Sequence, residues 1–250
     1  MNKLLFDSAV NNDISNLDRA LAEGYSVNST TFYRGLNLIM INTIFNREED
    51  GIEYIKYLIN HGIDINYKTK SKHQNALNIA TLSCNFDVCK LLIDKGIDIN
   101  SIDIDKKNSL LLASNNWYTE FINTYISLYL ECDLNRNELC DLRRHLLQYW
   151  NNKKLRKDII NNHYEIIKLL LDSGIDKSIE DSHNNNAMDL LLINDNIKEL
   201  RFVDLLNSYG INPSIKFGKN GQDLCSVGMI PALKAQRTYN KKLKQLKKYK

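Results

Sequence analysis

Proline is almost missing from this chain, with Pro213 and Pro231 the two occurrences in 250 residues, and tryptophan is as rare. So few prolines beside abundant Asn, Ile and Lys point to an AT-biased coding sequence, a property of the source genome rather than of function. No apolar run reaches the roughly 18 residues that a membrane-spanning helix requires. The opening MNKLLFDSAVNND carries too short an apolar stretch before its charges to act as a secretory signal. Both absences place the expected compartment inside the cell, in the cytoplasm, with the nucleus as the alternative. The five cysteines (Cys84, Cys89, Cys132, Cys140 and Cys225) form no C-x-x-C pair, so neither a metal site nor a disulfide framework is expected. Catalytic signatures are missing as well: no G-x-S-x-G, no H-E-x-x-H and no G-x-G-x-x-G. Gly218-Lys219-Asn220-Gly221 lacks the flanking residues of a phosphate loop. Carboxylates such as Asp103 and Asp105 fall on loops expected to be open to water, where nothing raises a pKa for acid catalysis. No catalytic residue, cofactor or metal is expected.

What the chain does contain is repetition. KLLIDKGIDIN (Lys90–Asn100) returns as KYLINHGIDIN (Lys56–Asn66) and as KLLLDSGIDKS (Lys168–Ser178). Looser copies are RALAEGYSVN (Arg19–Asn28), LYLECDLN (Leu128–Asn135) and DLLNSYGINPS (Asp204–Ser214). Recurrence at a period of 20–50 residues marks a stacked-repeat architecture. Within one copy, Ala76, Leu77, Ile79 and Ala80 keep helical spacing behind Asn75, which stands at an N-cap position. Phe86, Val88, Cys89, Leu91, Leu92 and Ile93 make a second, more apolar helix, which Gly96 stops by adopting a left-handed backbone. Asp98 and Asn100 then lead into a turn-rich finger. Cys89 stands where other copies have Ile and is expected to pack as a small hydrophobe.

Helix, turn, helix, glycine and finger together resemble the ankyrin repeat, a unit of about 33 residues. The family's Thr-Pro-Leu-His motif corresponds to Asn75-Ala76-Leu77-Asn78, Asn108-Ser109-Leu110-Leu111, Asn186-Ala187-Met188-Asp189 and Asn37-Leu38-Ile39-Met40. Its Gly-Ala-Asp-Val-Asn corresponds to Gly62-Ile63-Asp64-Ile65-Asn66 and Gly96-Ile97-Asp98-Ile99-Asn100. Thr, Pro and His are lost from the first motif, whereas Gly, Asp and Asn are kept in the second. His163 stands where the family has a structural Gly-His. The resemblance implies an all-α ankyrin-repeat solenoid over residues 1–230, with helix-turn-helix units, short β-hairpin fingers, about six repeats and a degenerate seventh. Glu131–Leu155 is the irregular part, with an insertion at 136–155, where either the first helix is lengthened from Asn137 or an extra helix precedes a normal one near Leu155. A basic helix or tail follows at 231–250.

Function follows from the same resemblance. Ankyrin repeats bind other proteins on the concave surface lined by fingers and first helices, so an unidentified protein partner is expected and the chain itself is expected to be monomeric. The finger positions here are Phe32, Tyr33, Arg34, Tyr67, Lys70, Lys72, His73, Ile102, Asp103, Asp105, Lys106, Glu180, Asp181 and His183. Phe32, Tyr33 and Tyr67 on consecutive fingers suit interface anchors, and they equally suit packing of one finger on the next. Charge offers an alternative. Residues 216–250 carry a net +9 and the remainder −6. Lys241, Lys242, Lys244, Lys247 and Lys248 cover a helix with a Tyr239, Leu243 and Leu246 stripe, which suits nucleic acid or an anionic surface, or simply a solvated cap.

Overall fold

The computed structural model describes residues 2–31, 35–46, 49–115, 153–193 and 200–214. Among these residues the chain is helical, with no strand. The helices are α1 (Lys3–Asn11), α2 (Ile14–Ala22), α3 (Leu38–Phe45), α4 (Glu49–Asn60), α5 (Ala76–Leu82) and α6 (Phe86–Asp94), then α7 (Ser109–Ser114), α8 (Lys153–Asp172), α9 (Ala187–Ile193) and α10 (Leu200–Ser208). Odd-numbered helices are the first of each unit and pack in a row, α1 on α3, α3 on α5, α5 on α7 and α7 on α9. Each pairs with the second helix of its own unit, and α4, α6 and α8 line up behind.

Local chemistry sets the helix limits. The Asn75 side chain accepts from the Asn78 amide while the Asn78 side chain accepts from the Asn75 amide, both at 3.0 Å, so two orphan donors of α5 are satisfied reciprocally. Asn186 and Asp189 repeat this exchange at α9. Asn37 and Asn108 cap α3 and α7 in the ordinary way. At the other end Gly96 takes φ +80°, and the Ile97 amide reaches back to the Leu92 carbonyl. A side chain at that φ is strained, which is why the stop is a glycine. Ile63, Ile97, Ile175 and Ile211, each directly after such a glycine, are buried under the helix just ended. Every residue of α5 and α7, and Leu38–Ile44 of α3, is buried, as a short helix enclosed on its sides must be.

One departure from the sequence reading concerns the irregular stretch. Spacing assigns two successive units between Asn100 and Ser178, one opening at Asn108 and one closing at Gly174. In the structure α7 packs directly against α8, and the two are the first and second helices of a single unit. The Asn100 side chain accepts from the Asp176 amide at 2.7 Å, the same bond that joins neighbouring units elsewhere, so the α5–α6 and α7–α8 units are bonded directly at this edge. Helix α8 also begins at Lys153 and runs unbroken through Leu155 to Asp172, ten residues ahead of the expected start at His163. The remainder of the irregular stretch, the expected seventh repeat and the basic tail lie outside the described residues.

Candidate interaction surface on the fingers

Four fingers are described in whole or part, and each closes in the same way. Thr31 donates its amide to the Leu36 carbonyl, Thr69 to Gln74, Asp103 to Lys107 and Asp181 to Asn185, all at 2.9 Å. The residue before each closing position has positive φ: Gly35 (+67°), His73 (+53°), Lys106 (+60°) and Asn184 (+60°). At Gly35 a Cβ would stand 3.0 Å from the Tyr67 hydroxyl and 3.3 Å from the Lys70 amide, so glycine there permits the second finger to lie close.

The loop interiors differ. Thr31 and Thr69 accept one amide through Oγ1, from Leu36 and Gln74 respectively, each at 3.0 Å. Asp103 Oδ1 accepts two, from Asp105 and Lys107, and Asp181 Oδ1 accepts two, from His183 and Asn185, all at 2.9 Å. Asp103 and Asp181 are therefore not open to water as expected: they are 7% and 4% exposed and hold the finger from within. Burial pushes the Asp103 carboxyl above its ordinary range, opposed by the Lys107 and Asp105 amides.

Beneath the fingers runs a ladder of asparagines. Asn28, Asn66 and Asn100 accept from the amides of Asp64, Asp98 and Asp176 in the following unit, each at 2.7 Å. Asn75, Asn108 and Asn186, besides capping their helices, donate to the carbonyls of Asp98, Asp176 and Asn212 at 3.0, 2.8 and 2.8 Å. The finger tips are joined too. Ile104 donates its amide to the Lys72 carbonyl at 3.1 Å, and Ser182 to the Asp105 carbonyl at 3.0 Å. Fingers two, three and the one after α8 thus form one hydrogen-bonded row.

On this row Lys70, His73, Asp105, Lys106, Glu180 and His183 are exposed and Lys72 is half-buried. Tyr67 is half-buried against the core, with its hydroxyl enclosed, which favours its packing role over that of a free anchor. Phe32, Tyr33 and Arg34 lie outside the described residues, as do Lys241, Lys242, Lys244, Lys247 and Lys248. Ile104, which the sequence reading passed over although it included Ile102, is the most exposed large hydrophobic among the described residues at 55%, with Ile102 at 41%. Alternation was the available signal: Asp103 turns inward, so residues 102 and 104 turn outward.

The first helices contribute less surface than expected. Asn42 bonds to the unit before it, Asn78 to the unit after it, and Thr81 faces Cys89 of its own second helix. At 100° per residue, these directions leave the position four after the cap pointing away from the second helices. Ile41, Ile79, Leu112 and Leu190 occupy it, and all four are buried.

No described thiol has the environment of a nucleophile. Burial pushes the Cys89 thiol up, and the Thr81 hydroxyl lies 3.9 Å from its sulfur. Cys84 is buried, 3.7 Å from His163 Nδ1. The His163 Nε2 donates to the Ala113 carbonyl at 2.5 Å, and burial pushes its pKa down to about 4. His163 thereby joins α8, α7 and the turn after α5, the structural part its position suggested. Among the described residues no helix is long and apolar enough to cross a membrane.

Residues 5–103 match the ankyrin repeats, in three copies. Over that stretch the chain carries ankyrin repeats. A protein of Acanthamoeba polyphaga mimivirus named as an ankyrin repeat protein is 28% identical over 97 residues, which covers 39% of this chain and 59% of that relative. Ankyrin repeats as a family mediate protein–protein interaction and are generally non-catalytic.

Proposed function

We propose that this chain is a non-catalytic ankyrin-repeat scaffold that holds a partner protein along its finger row. The observation that supports this is the tip-to-tip bonding of the fingers, Ile104 to Lys72 and Ser182 to Asp105, which presents exposed side chains on a backbone that need not be ordered on binding. Ile102 and Ile104 supply apolar contact, with Lys70, His73, Lys106, Glu180 and His183 along the same row. The reading narrows the expected surface to the fingers, because the first helices α3, α5 and α7 between them are closed to solvent. The test is affinity capture with the intact chain, read by mass spectrometry, against Ile102→Ser/Ile104→Ser. A partner that is captured by the parent and lost by the variant, at unchanged helical content, supports the scaffold; a partner held equally by both removes the fingers from the reading. The net +9 of residues 216–250 supports nucleic-acid or anionic-surface binding as the second reading. Binding that weakens steeply with added salt and vanishes when the five tail lysines become Gln favours it.

A further inference from the structure

Fingers two and three differ in charge from the body that carries them. Residues 68–73 hold Lys68, Lys70, Lys72 and His73 and no acid. On finger three Asp103 is turned inward and buried, and the exposed Asp105 lies 3.9 Å from Lys107, so Lys106 and Lys107 outweigh the one outward acid at that tip. Lys68, Lys70, His73 and Lys106 are exposed. Residues outside the basic end carry a net −6, so these two fingers form a positive island on an acidic scaffold. Finger three also carries Ile102 and Ile104, two of the three exposed large hydrophobics among the described residues, and the Ile104 amide is bonded to the Lys72 carbonyl of finger two. Apolar groups beside basic ones are an arrangement that excludes water from a few contacts and selects partners by charge.

We infer that fingers two and three bind an acidic polypeptide segment carrying aliphatic side chains, with Ile102 and Ile104 taking the aliphatic groups and Lys68, Lys70, His73 and Lys106 the carboxylates. This rests on the scaffold reading and adds the chemistry of the partner. An acidic peptide is favoured over nucleic acid because the exposed apolar groups are aliphatic. A single strand is held by stacking its bases on aromatic rings, whereas Tyr67, the aromatic of finger two, is packed against the core.

The test uses the full chain with Lys241, Lys242, Lys244, Lys247 and Lys248 changed to Gln, so that the basic end does not dominate. The probes are a fluorescent Glu/Leu peptide, its Lys/Leu counterpart and oligothymidylate, followed by anisotropy. The Glu/Leu peptide should bind, the Lys/Leu peptide should not, Lys70→Glu/Lys106→Glu should weaken binding about tenfold, and Ile104→Ser about fivefold. Circular dichroism and melting temperature of each variant exclude misfolding as the cause. Failure of the Glu/Leu peptide to bind, indifference to both variants, or oligothymidylate binding with the same dependence on Lys70 and Lys106 each overturn the inference. A captured cellular protein that is lost with Ile104→Ser but indifferent to Lys70→Glu/Lys106→Glu overturns the acidic partner and leaves the scaffold standing. One retained by every finger variant removes the scaffold reading itself.

Discussion

The first two fingers and the last two described have one shape from two chemistries. Thr31 and Thr69 close theirs with a neutral hydroxyl that accepts one amide, whereas Asp103 and Asp181 use a carboxylate oxygen that accepts two. The loop lengths follow: the closing pairs are 31 with 36 and 69 with 74, but 103 with 107 and 181 with 185. A carboxylate gathers two amides within a loop one residue shorter. The gain is a stronger, charge-assisted bond, and the cost is a buried charge. The carboxylate-closed half is also the half that buries His163, so the two halves of the stack should part company in acid.

That separation gives the largest expected effect. The folded pKa of His163 is about 4, below the ordinary 6.5, so the unfolded chain takes the proton first. Stability is therefore full above pH 6.5 and drains as pH falls toward 4, by up to about 3 kcal/mol. Hydrogen-exchange protection factors, which correct for the slower intrinsic exchange at pH 5, should fall from pH 7 to pH 5 in α7 and α8 while those of α3 to α5 hold; an equal fall in both halves would contradict it. His163→Gln should flatten the dependence. Asp103→Ala, which orphans the Asp105 and Lys107 amides, should cost about 2 kcal/mol in urea unfolding at neutral pH. Thr69→Val orphans the Gln74 amide alone and should cost about 1 kcal/mol; a cost equal to that of Asp103→Ala would erase the distinction between the two finger types.

The smallest effect sharpens the comparison most. Asp103→Asn keeps an acceptor oxygen and removes the charge, and its cost should stay within about 0.5 kcal/mol at neutral pH. The raised folded pKa of Asp103 means the native state holds that proton more tightly, so this group adds stability as pH falls through its folded value, opposite in sign to His163. Asp103→Asn should remove that gain and leave the stack slightly more acid-sensitive than its parent, measured as the difference in unfolding midpoint between neutral and mildly acidic buffer.

Much of this architecture is local and was therefore legible in the residues. The helix pairs, the asparagine caps and the stop glycines depend on bonds spanning a few positions, and they stand where spacing put them. The pairing of α7 with α8 was not legible, because the Asn108 to Asp176 bond joins residues 68 apart and no pattern within one copy announces it. The inward turn of Asp103 and Asp181 was missed although a signal existed. Thr31, Thr69, Asp103 and Asp181 each follow Asn28, Asn66, Asn100 or Ser178 by three positions, so a polar acceptor recurs at a fixed place in every finger. Isolated, Asp103 looks like one more surface acid; in register, it is the functional equivalent of a threonine. The asparagines taught a similar lesson. Their abundance fits a biased genome, yet Asn66 and Asn100 each bond to the next unit, and Asn75 and Asn108 each tie the start of their own unit to its end.

The asparagine ladder also sets an order of assembly. Its first rungs join residues 36 and 32 apart, and the next joins residues 76 apart. Closing the longer loop costs roughly 0.8 kcal/mol more chain entropy, and non-local closures are slow. Units one to three can zip along the chain as it leaves the ribosome, each docking on a finished neighbour. The α7–α8 unit must wait until more than twice as much chain has emerged, so its docking is the late step, and a chain interrupted there still carries a folded first half.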